Sequence, residues 1–253
     1  MTETRIFLPL GGSSNPTWAD PDTIRRMVPP SLPSLDPVTT AKFVTESDVE
    51  QRTDVYLVLS MPNGPFIGLK GRGVKKSGGK KGSGDSKVEI KYRSLTDDGL
   101  ERWTKLKTKI EGGIENTPAI AEWMENSGVS MLVESASHLR ALDTSALPLY
   151  AVSKSRRIAA IGSGIGEETD VTVTAIKSGK SQRFRSWAIE GAPTADLLLC
   201  DQFWSVLANE TTLEKSALED DECSERAPSA ARIFHGSYPK FLANFHAMSV
   251  GGK

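Results

Sequence analysis

Residues 66 to 93 read FIGLKGRGVKKSGGKKGSGDSKVEIKYR, and this stretch sets the pattern from which the fold is predicted. Two short alternating runs flank a loop of Gly, Ser and Lys, as expected for neighbouring strands of a hairpin. Because side chains alternate across a strand, Lys70 and Arg72 share one face of the first run. One face of the second run carries Glu89, Lys91 and Arg93. Like charges that face each other across a ladder repel, so the pattern favours an anion bound between the strands.

Charge is balanced over the whole chain but not along it. The 253 residues carry 31 Lys and Arg against 32 Asp and Glu, which argues against a general polyanion-binding protein. Residues 66–109 hold 13 basic and 5 acidic side chains, a net of +8, whereas residues 210–226 hold 2 basic and 7 acidic ones, a net of −5. The basic region is therefore a candidate anion site, and the acidic region is interpreted as a solvated loop.

The order of predicted elements is strands, helices, strands and helices. Strands are predicted at Arg5–Leu8, Asp54–Ser60, within residues 66–73 and 87–94, and in two long hairpin-forming runs within 147–191. The spacing of Leu100, Trp103, Leu106 and Ile110 predicts a helix across 95–110. Further helices are predicted at 118–128, at 135–145, after Pro193 and from Ser237 to the C-terminal region.

Hairpins dominate this order, which predicts an α+β fold with a mostly antiparallel sheet. Seven or eight strands suffice to close an eight-stranded tunnel-like barrel with flanking helices, and closure would remove exposed sheet edges. Residues 1–50 are read as a Pro-rich N-terminal arm with a first strand. Residues 51–253 then form the tunnel domain with its C-terminal helices, and the chain is a single domain.

Several familiar motifs are incomplete or absent in this sequence. RIAAIGSGIG at 157–166 resembles a dinucleotide-binding turn, but the alternating run that follows predicts a strand where the motif requires a helix. The Gly/Lys loop lacks the P-loop pattern, and neither a GxSxG motif nor an aromatic RNA-binding motif is present. The three histidines and two cysteines lack zinc-ligand spacing.

A distributed set of charged strand residues remains as the candidate site. Arg and Lys on the wall of a barrel would bind phosphate oxygens through charge-assisted hydrogen bonds, and a carboxylate there could hold Mg²⁺ or Mn²⁺. Each residue alone is more typical of a solvated strand face, so the interpretation depends on convergence. The candidate phosphate-binding residues are Lys70, Arg72, Lys91, Arg93, Lys154, Arg156 and Arg185, and the candidate metal ligands are Glu190, Glu89 and Asp170.

The order of these motifs over residues 50–192 resembles the CYTH superfamily, the triphosphate tunnel proteins. LKGRG (69–73), VEIK (88–91) and SKSR (153–156) are similar to the family's basic strands, while TDVTV (169–173) and RSWAIEG (185–191) are similar to its acidic ones. The resemblance implies an antiparallel tunnel lined by charged side chains. It also implies a triphosphate-type ligand and a metal-dependent hydrolase that uses Mg²⁺ or Mn²⁺.

Two departures weaken the implied catalysis. The first strand, read as TRIFLPL, lacks the family's ExExK motif, and Ala188 occupies the position of a second glutamate near Glu190. Two-metal phosphoryl chemistry needs such carboxylates. The resemblance therefore implies a binding domain with weak or degenerate triphosphatase activity, and whether the protein is an enzyme stays open.

Two other functions remain as alternatives. A non-catalytic interaction protein, or a subunit of a larger assembly, could use the N-terminal arm to contact a protein partner. RNA binding through the basic loop is the third, with steep salt dependence as its mark. No run in the sequence is long and apolar enough to suggest a membrane span, and no secretory signal is visible. The cytosol is the default expectation, with organelle import open.

Overall fold

The computed structural model describes residues 3–10, 49–59, 67–72, 86–95, 101–161, 164–205 and 234–251. Most of the N-terminal arm, most of the Gly/Lys loop and the acidic stretch lie outside these ranges. The strands are β1 (Glu3–Pro9), β2 (Glu50–Leu57), β3 (Ile67–Arg72), β4 (Ser86–Leu95), β5 (Glu101–Ile110), β6 (Leu149–Ile161), β7 (Gly164–Ala175), β8 (Ser181–Glu190) and β9 (Phe234–His235). The helices are α1 (Thr117–Glu125), α2 (Ser130–Arg140), α3 (194–205) and α4 (Tyr238–Gly251).

All the described strands belong to one antiparallel sheet in the order β5-β4-β3-β2-β6-β7-β8-β1-β9. The sheet is strongly curled. Lys91 on β4 and Glu3 on β1 are separated by five strands in the ladder, yet their charged atoms are 3.9 Å apart. In a flat sheet the same two strands would be about 29 Å apart. The predicted α+β class and tunnel-like antiparallel sheet are confirmed, with β5 and the two-residue β9 at its edges.

The concave face of the sheet is divided into an apolar end and a charged end. Phe7, Val152, Val171 and Phe184 form the apolar end, and α4 packs into it. Phe241 of α4 stacks on the Phe7 ring at a centroid distance of 4.0 Å. The C-terminal helix thus fills one end of the tunnel and leaves the charged side chains at the other.

Helices cover two parts of the convex face. α1 and α2 pack over β2 to β5 around a core that includes Leu57, Leu69, Ile90 and Met124. α3 lies beside β1, where the Thr4 hydroxyl donates a 2.8 Å hydrogen bond to Asp201. None of the helices in the described ranges is long and apolar enough to cross a membrane.

The helix predicted across 95–110 is wrong, because residues 101–110 form strand β5. Trp103, Leu106 and Ile110 have helical spacing, but Leu106 and Ile110 also alternate with exposed lysines at a period of two. Ladder pairing with β4 and burial of Leu106 and Ile110 against α1 and α2 favour the strand. Tertiary context overrides a short helical pattern in this way.

The other described elements follow the predictions closely. The glycine-rich run at 157–166 joins β6 to β7 as a hairpin, and no helix follows it. α1 begins beside Pro118, with the Asn116 side chain accepting a hydrogen bond from the Ala119 amide. The helix predicted at 135–145 is α2, and it lies five residues earlier than expected, at 130–140.

Candidate functional site

The charged end of the concave face holds a dense set of paired acidic and basic side chains. They come from seven strands, and they share one face because residues two apart on a strand point the same way. Most are buried, and the cations lie next to carboxylates. The cations are Arg5, Arg52, Lys70, Arg72, Lys91, Lys154 and Arg156, and the carboxylates are Glu3, Glu50, Asp54, Glu89, Glu167 and Glu190.

Arg5 forms the centre of this charged end. Its guanidinium donates hydrogen bonds to Glu167 at 2.7 Å and to the Ser186 hydroxyl at 2.9 Å, and it lies 3.5 Å from Glu190. Glu167 also contacts Arg156, whose Nε is 2.7 Å from its second carboxylate oxygen. Burial opposes ionisation of Glu167, but Arg5 and Arg156 outweigh it and hold the pKa of Glu167 far below its usual range. This carboxylate is therefore charged and fixed between two guanidinium groups.

Lys154 is buried beneath the start of α4. Its ammonium donates a 2.8 Å hydrogen bond to the Tyr56 hydroxyl, lies 3.6 Å from Asp54 and sits 3.7 Å from the centre of the Tyr238 ring. Burial lowers the pKa of Lys154 well below its ordinary value, and Asp54 offsets part of this shift. Lys154 is thus enclosed by protein groups on several sides.

Lys70 and Glu89 form a direct cross-strand pair. The strand register sets them opposite each other, and their charged atoms are 2.8 Å apart. Arg72 approaches the second oxygen of Glu89 at 3.2 Å. The repulsion expected between basic residues on β3 and β4 is relieved at this position by a carboxylate of the protein itself.

The structure brings together most of the residues that the sequence singled out. Lys70, Arg72, Lys91, Lys154, Arg156, Glu89 and Glu190 all lie at the charged end. Arg93 occupies the same face of β4, opposite Trp103.

Asp170 and Arg185 do not join this site. They lie on the convex face, where Arg185 Nε is 3.0 Å from Asp170. Asp170 lines an open pocket of about 560 Å³ there, with Thr53, Ser153 and Arg183 among its neighbours. The expected placement of both residues on the tunnel wall was wrong, because Asp170 on β7 and Arg185 on β8 are directly paired in the set of alternate residues that faces outward. The pairing of Glu167 with Ala188, which also faces Arg5, fixes the true alternation.

Sequence reasoning missed six charged residues of the site, namely Glu3, Arg5, Glu50, Arg52, Asp54 and Glu167. The first strand does bring an acid, since Glu3 alternates with Arg5 and Phe7 on the concave face. The segment read as the first strand began at Thr4, one residue after Glu3, so the prediction that this strand contributes no carboxylate is wrong. The signals that could have found Glu3 and Asp54 are the alternating patterns Glu3-x-Arg5-x-Phe7 and Arg52-x-Asp54-x-Tyr56.

The carboxylates at the charged end do not fit a divalent metal. Glu89 is held by Lys70 and Arg72, and Glu190 lies beside Arg5. Within the described ranges, no three His, Cys, Asp or Glu side chains come close enough to hold a metal ion. Mg²⁺ and Mn²⁺ need several oxygen ligands around one point, so we derive no metal-assisted step from this site.

Glu3 and Glu190 have opposite pKa shifts although they are neighbours on β1 and β8. Burial raises the pKa of Glu3, but Lys91 and Arg5 outweigh it and lower this pKa to about 2. Burial and the adjacent Glu3 charge raise the pKa of Glu190. Glu3 therefore stabilises the fold above its unfolded pKa, and this contribution is lost as the pH falls towards about 2. The contribution of Glu190 is present below its unfolded pKa and is lost as the pH rises through its folded pKa.

Replacing Glu190 by glutamine is expected to leave the free energy of unfolding unchanged at neutral pH or to raise it by up to about 1 kcal/mol. The amide resembles the protonated acid, which is the form that the folded state prefers. The difference from wild type should shrink as the pH falls below the unfolded pKa. Urea denaturation at a series of pH values measures this, with the exposed α2 variant Glu134→Gln as the control. A loss of 2 kcal/mol or more at neutral pH would show that Glu190 works as an anion.

Comparison with known proteins gives weak likenesses. Neither a family model nor a curated protein sequence matches the chain. Among solved structures, an adenylate cyclase candidate of Bacillus halodurans is 12% identical, with a TM-score of 0.35, over 89% of this chain and 96% of the other. A chain of the Schizosaccharomyces pombe Mediator head module is 8% identical, with a TM-score of 0.33, over 85% and 96%.

A third similar structure is a protein of Hippeastrum, described as an adenylyl cyclase candidate with a dominant triphosphatase activity. It is 11% identical, with a TM-score of 0.32, over 88% of this chain and 91% of the other. At such identities and scores, these likenesses assign neither a family nor an activity to this chain.

Proposed function

We propose that this protein is a CYTH-like domain that binds a phosphorylated, triphosphate-type ligand at the charged end of its concave face. The observation that carries the proposal is convergence. Lys70, Lys91, Lys154 and Arg156, which are up to 86 residues apart in sequence, lie on the concave face of one curled antiparallel sheet. The order of basic strands that resembles the triphosphate tunnel proteins supports the same ligand class.

Binding at this site has an electrostatic cost. Phosphate oxygens must displace the carboxylates that now contact the cations, including Glu89 at Lys70 and Glu167 at Arg156. The exchange is favourable only for a highly charged ligand, because charge-assisted contacts to phosphate must replace existing ion pairs. This favours a triphosphate over a monophosphate and predicts modest affinity.

Hydrolysis is not part of the proposed function. Two carboxylates of the predicted metal set are held in ion pairs, and the third, Asp170, lies on the convex face. We expect phosphate release from tripolyphosphate or nucleoside triphosphates to be weak or absent with either Mg²⁺ or Mn²⁺. Release that survives Lys70→Ala and Arg156→Ala would remove these residues from any catalytic role.

Titration calorimetry with tripolyphosphate tests the binding site. Lys70→Gln and Arg156→Gln are each expected to weaken binding about tenfold or more, because a hydrogen bond to a charged group contributes about 1.5–3 kcal/mol. Lys177→Gln, in the exposed turn between β7 and β8, is the matched control and should bind like wild type. Equal losses in all three variants would indicate attraction by net charge without a defined site.

An interaction protein remains the second candidate function. It is favoured by the ion pairs themselves, which already satisfy the buried cations without a ligand. In that case wild type would bind no tripolyphosphate at low salt. The predicted contact through the N-terminal arm falls outside the described residues and stays a prediction.

A further inference from the structure

Strand β5, together with the facing part of β4, carries a column of exposed lysines at one edge of the concave face. We define the lysine ladder as Lys87 on β4 and Lys105, Lys107 and Lys109 on β5. All four are exposed and occupy the concave face at one edge of the sheet.

The register of the lysine ladder sets like charges against each other. Lys87 is directly opposite Lys109, and Lys105 is directly opposite Lys91. Glu89 lies between these two lysine pairs, directly opposite Lys107, and its carboxylate also contacts Lys70 and Arg72. Like charges directly opposite each other in a ladder destabilise it. Burial is the main cause of the lowered pKa of Lys91, and the charge of Lys105 lowers this pKa further.

We propose that the lysine ladder binds the phosphate backbone of single-stranded nucleic acid, without sequence preference. Residues two apart on a strand are about 6.8 Å apart, so Lys105, Lys107 and Lys109 span about 14 Å. A sugar separates successive phosphates in a nucleic acid, which gives a spacing of this order. In inorganic polyphosphate, neighbouring phosphates share an oxygen and are much closer together.

The side chains around the ladder favour nucleic acid over an acidic peptide. Leu106, Thr108 and Ile110 point to the opposite face of β5, where Leu106 and Ile110 pack with α1 and α2. Trp103, on the same face of β5 as the lysines, is 2% exposed, so the ladder offers no accessible apolar anchor, which a peptide interface usually needs at its centre. Phosphate binding needs only positive charge. Asn, Gln and aromatic side chains that could read bases are absent from positions 105, 107 and 109, which fits binding without sequence preference.

The lysine ladder adjoins the proposed triphosphate site, since Lys105 is opposite Lys91, but it consists of different side chains. The ladder residues are exposed at the edge of the sheet, whereas Lys70 and Lys154 are buried in ion pairs at the charged end. A variant that loses nucleic-acid binding but still binds tripolyphosphate, or one that loses tripolyphosphate binding but still binds nucleic acid, would distinguish the two proposals.

Fluorescence anisotropy with a labelled oligouridine of about 12 nucleotides tests the proposal. With three to four phosphates contacted, the logarithm of the binding constant should fall with the logarithm of salt concentration with a slope of about −2 to −3. The double variant Lys107→Gln/Lys109→Gln should bind at least about tenfold more weakly at low salt, and its slope should be shallower by about 1.4.

The matched control is Lys177→Gln/Lys180→Gln, which removes the same charge from the exposed turn between β7 and β8. Wild-type affinity in this control, with weakened binding in the ladder variant, supports the proposal. Equal effects of the two double variants, or no binding by wild type at low salt, would overturn it. Stronger competition by polyglutamate or long-chain inorganic polyphosphate than by unlabelled oligouridine, at equal charge, would also overturn it. Thermal melting of both variants verifies that they remain folded.

Discussion

Replacing Arg5 by methionine is expected to lower the free energy of unfolding by about 3–5 kcal/mol at neutral pH. Arg5 is 3% exposed and contacts Glu167, Glu190 and Ser186. Methionine preserves most of the side-chain volume but leaves buried carboxylates without their central cation. Removing one partner of a buried ion pair is costly because the remaining charge has lost its hydration as well as its counter-ion.

Two further measurements separate this electrostatic cost from a packing defect. The penalty of Arg5→Met should shrink as the pH falls, because protonation of Glu3 and Glu167 removes the uncompensated charge. The double variant Arg5→Met/Glu167→Gln should be less destabilised than the sum of the two single variants, with a coupling of about 1–3 kcal/mol. Both follow from urea denaturation curves.

The control for Arg5 is Arg140, which makes a two-pronged ion pair with Glu125 at 2.7 and 3.1 Å. This pair lies on the exposed faces of α1 and α2, where water and salt screen it. Arg140→Met should leave the denaturation midpoint unchanged within error. If Arg5→Met cost no more than Arg140→Met, the charged end would be solvated in solution.

The alternating patterns predicted the fold where the surroundings of a strand are simple. β3, β4 and the hairpins of β6, β7 and β8 follow from their period of two and their turn residues, and Gly179 has the positive φ of 69° that the β7–β8 turn requires. β5 failed because Trp103, Leu106 and Ile110 satisfy the helical spacing as well. The distinction depends on β4 beside it and the helices beneath it, which no local pattern contains.

The sequence predicted which residue types and which alternating patterns form the candidate site, but not which face of each strand points into the tunnel. A strand pattern gives two sets of alternate residues, and which set lies inside the tunnel depends on the register with other strands. For β3 and β6 the basic residues identified the inner set correctly. For β7 acidic residues occur in both sets, Glu167 in one and Asp170 in the other, and the pairing with β8 and β1 decides between them.

The sequence also did not predict that carboxylates of the protein itself pair with the basic residues of the charged end. Glu3, Asp54 and Glu167 are 51 and 113 residues apart along the chain. Asp54 meets Lys154 across two paired strands, Glu167 meets Arg5 across β8, and Glu3 meets Lys91 through the curl of the sheet. Counting basic residues along the sequence therefore overstated the free positive charge of the tunnel. Exposed lysines are found instead on β5, at positions 105, 107 and 109, in the segment that the sequence predicted to be a helix.

Truncation of Phe241 to alanine is the second large effect that we expect. This α4 residue is 1% exposed, stacks on Phe7, and meets the Phe184 ring edge-on at a centroid distance of 4.8 Å. Removing a buried aromatic ring and leaving a cavity costs about 3–5 kcal/mol. Met248→Ala is the control on the same helix, because Met248 is 46% exposed and its truncation should change stability by no more than about 0.5 kcal/mol.

The Phe241→Ala variant should also loosen the boundary between the apolar and charged ends of the tunnel. Tyr238, one turn earlier on α4, covers both Lys154 and Arg5 with its ring, at 3.7 and 4.8 Å from the ring centre. When α4 packs less tightly, water reaches Lys154 and its pKa should rise towards the ordinary value, because burial is the main cause of its depression. Hydrogen exchange in α4 and β1 would report the loosening. Unchanged exchange together with full stability would mean that Phe241 does not hold α4 in the tunnel, and the charged end would then owe its burial to the curl of the sheet alone.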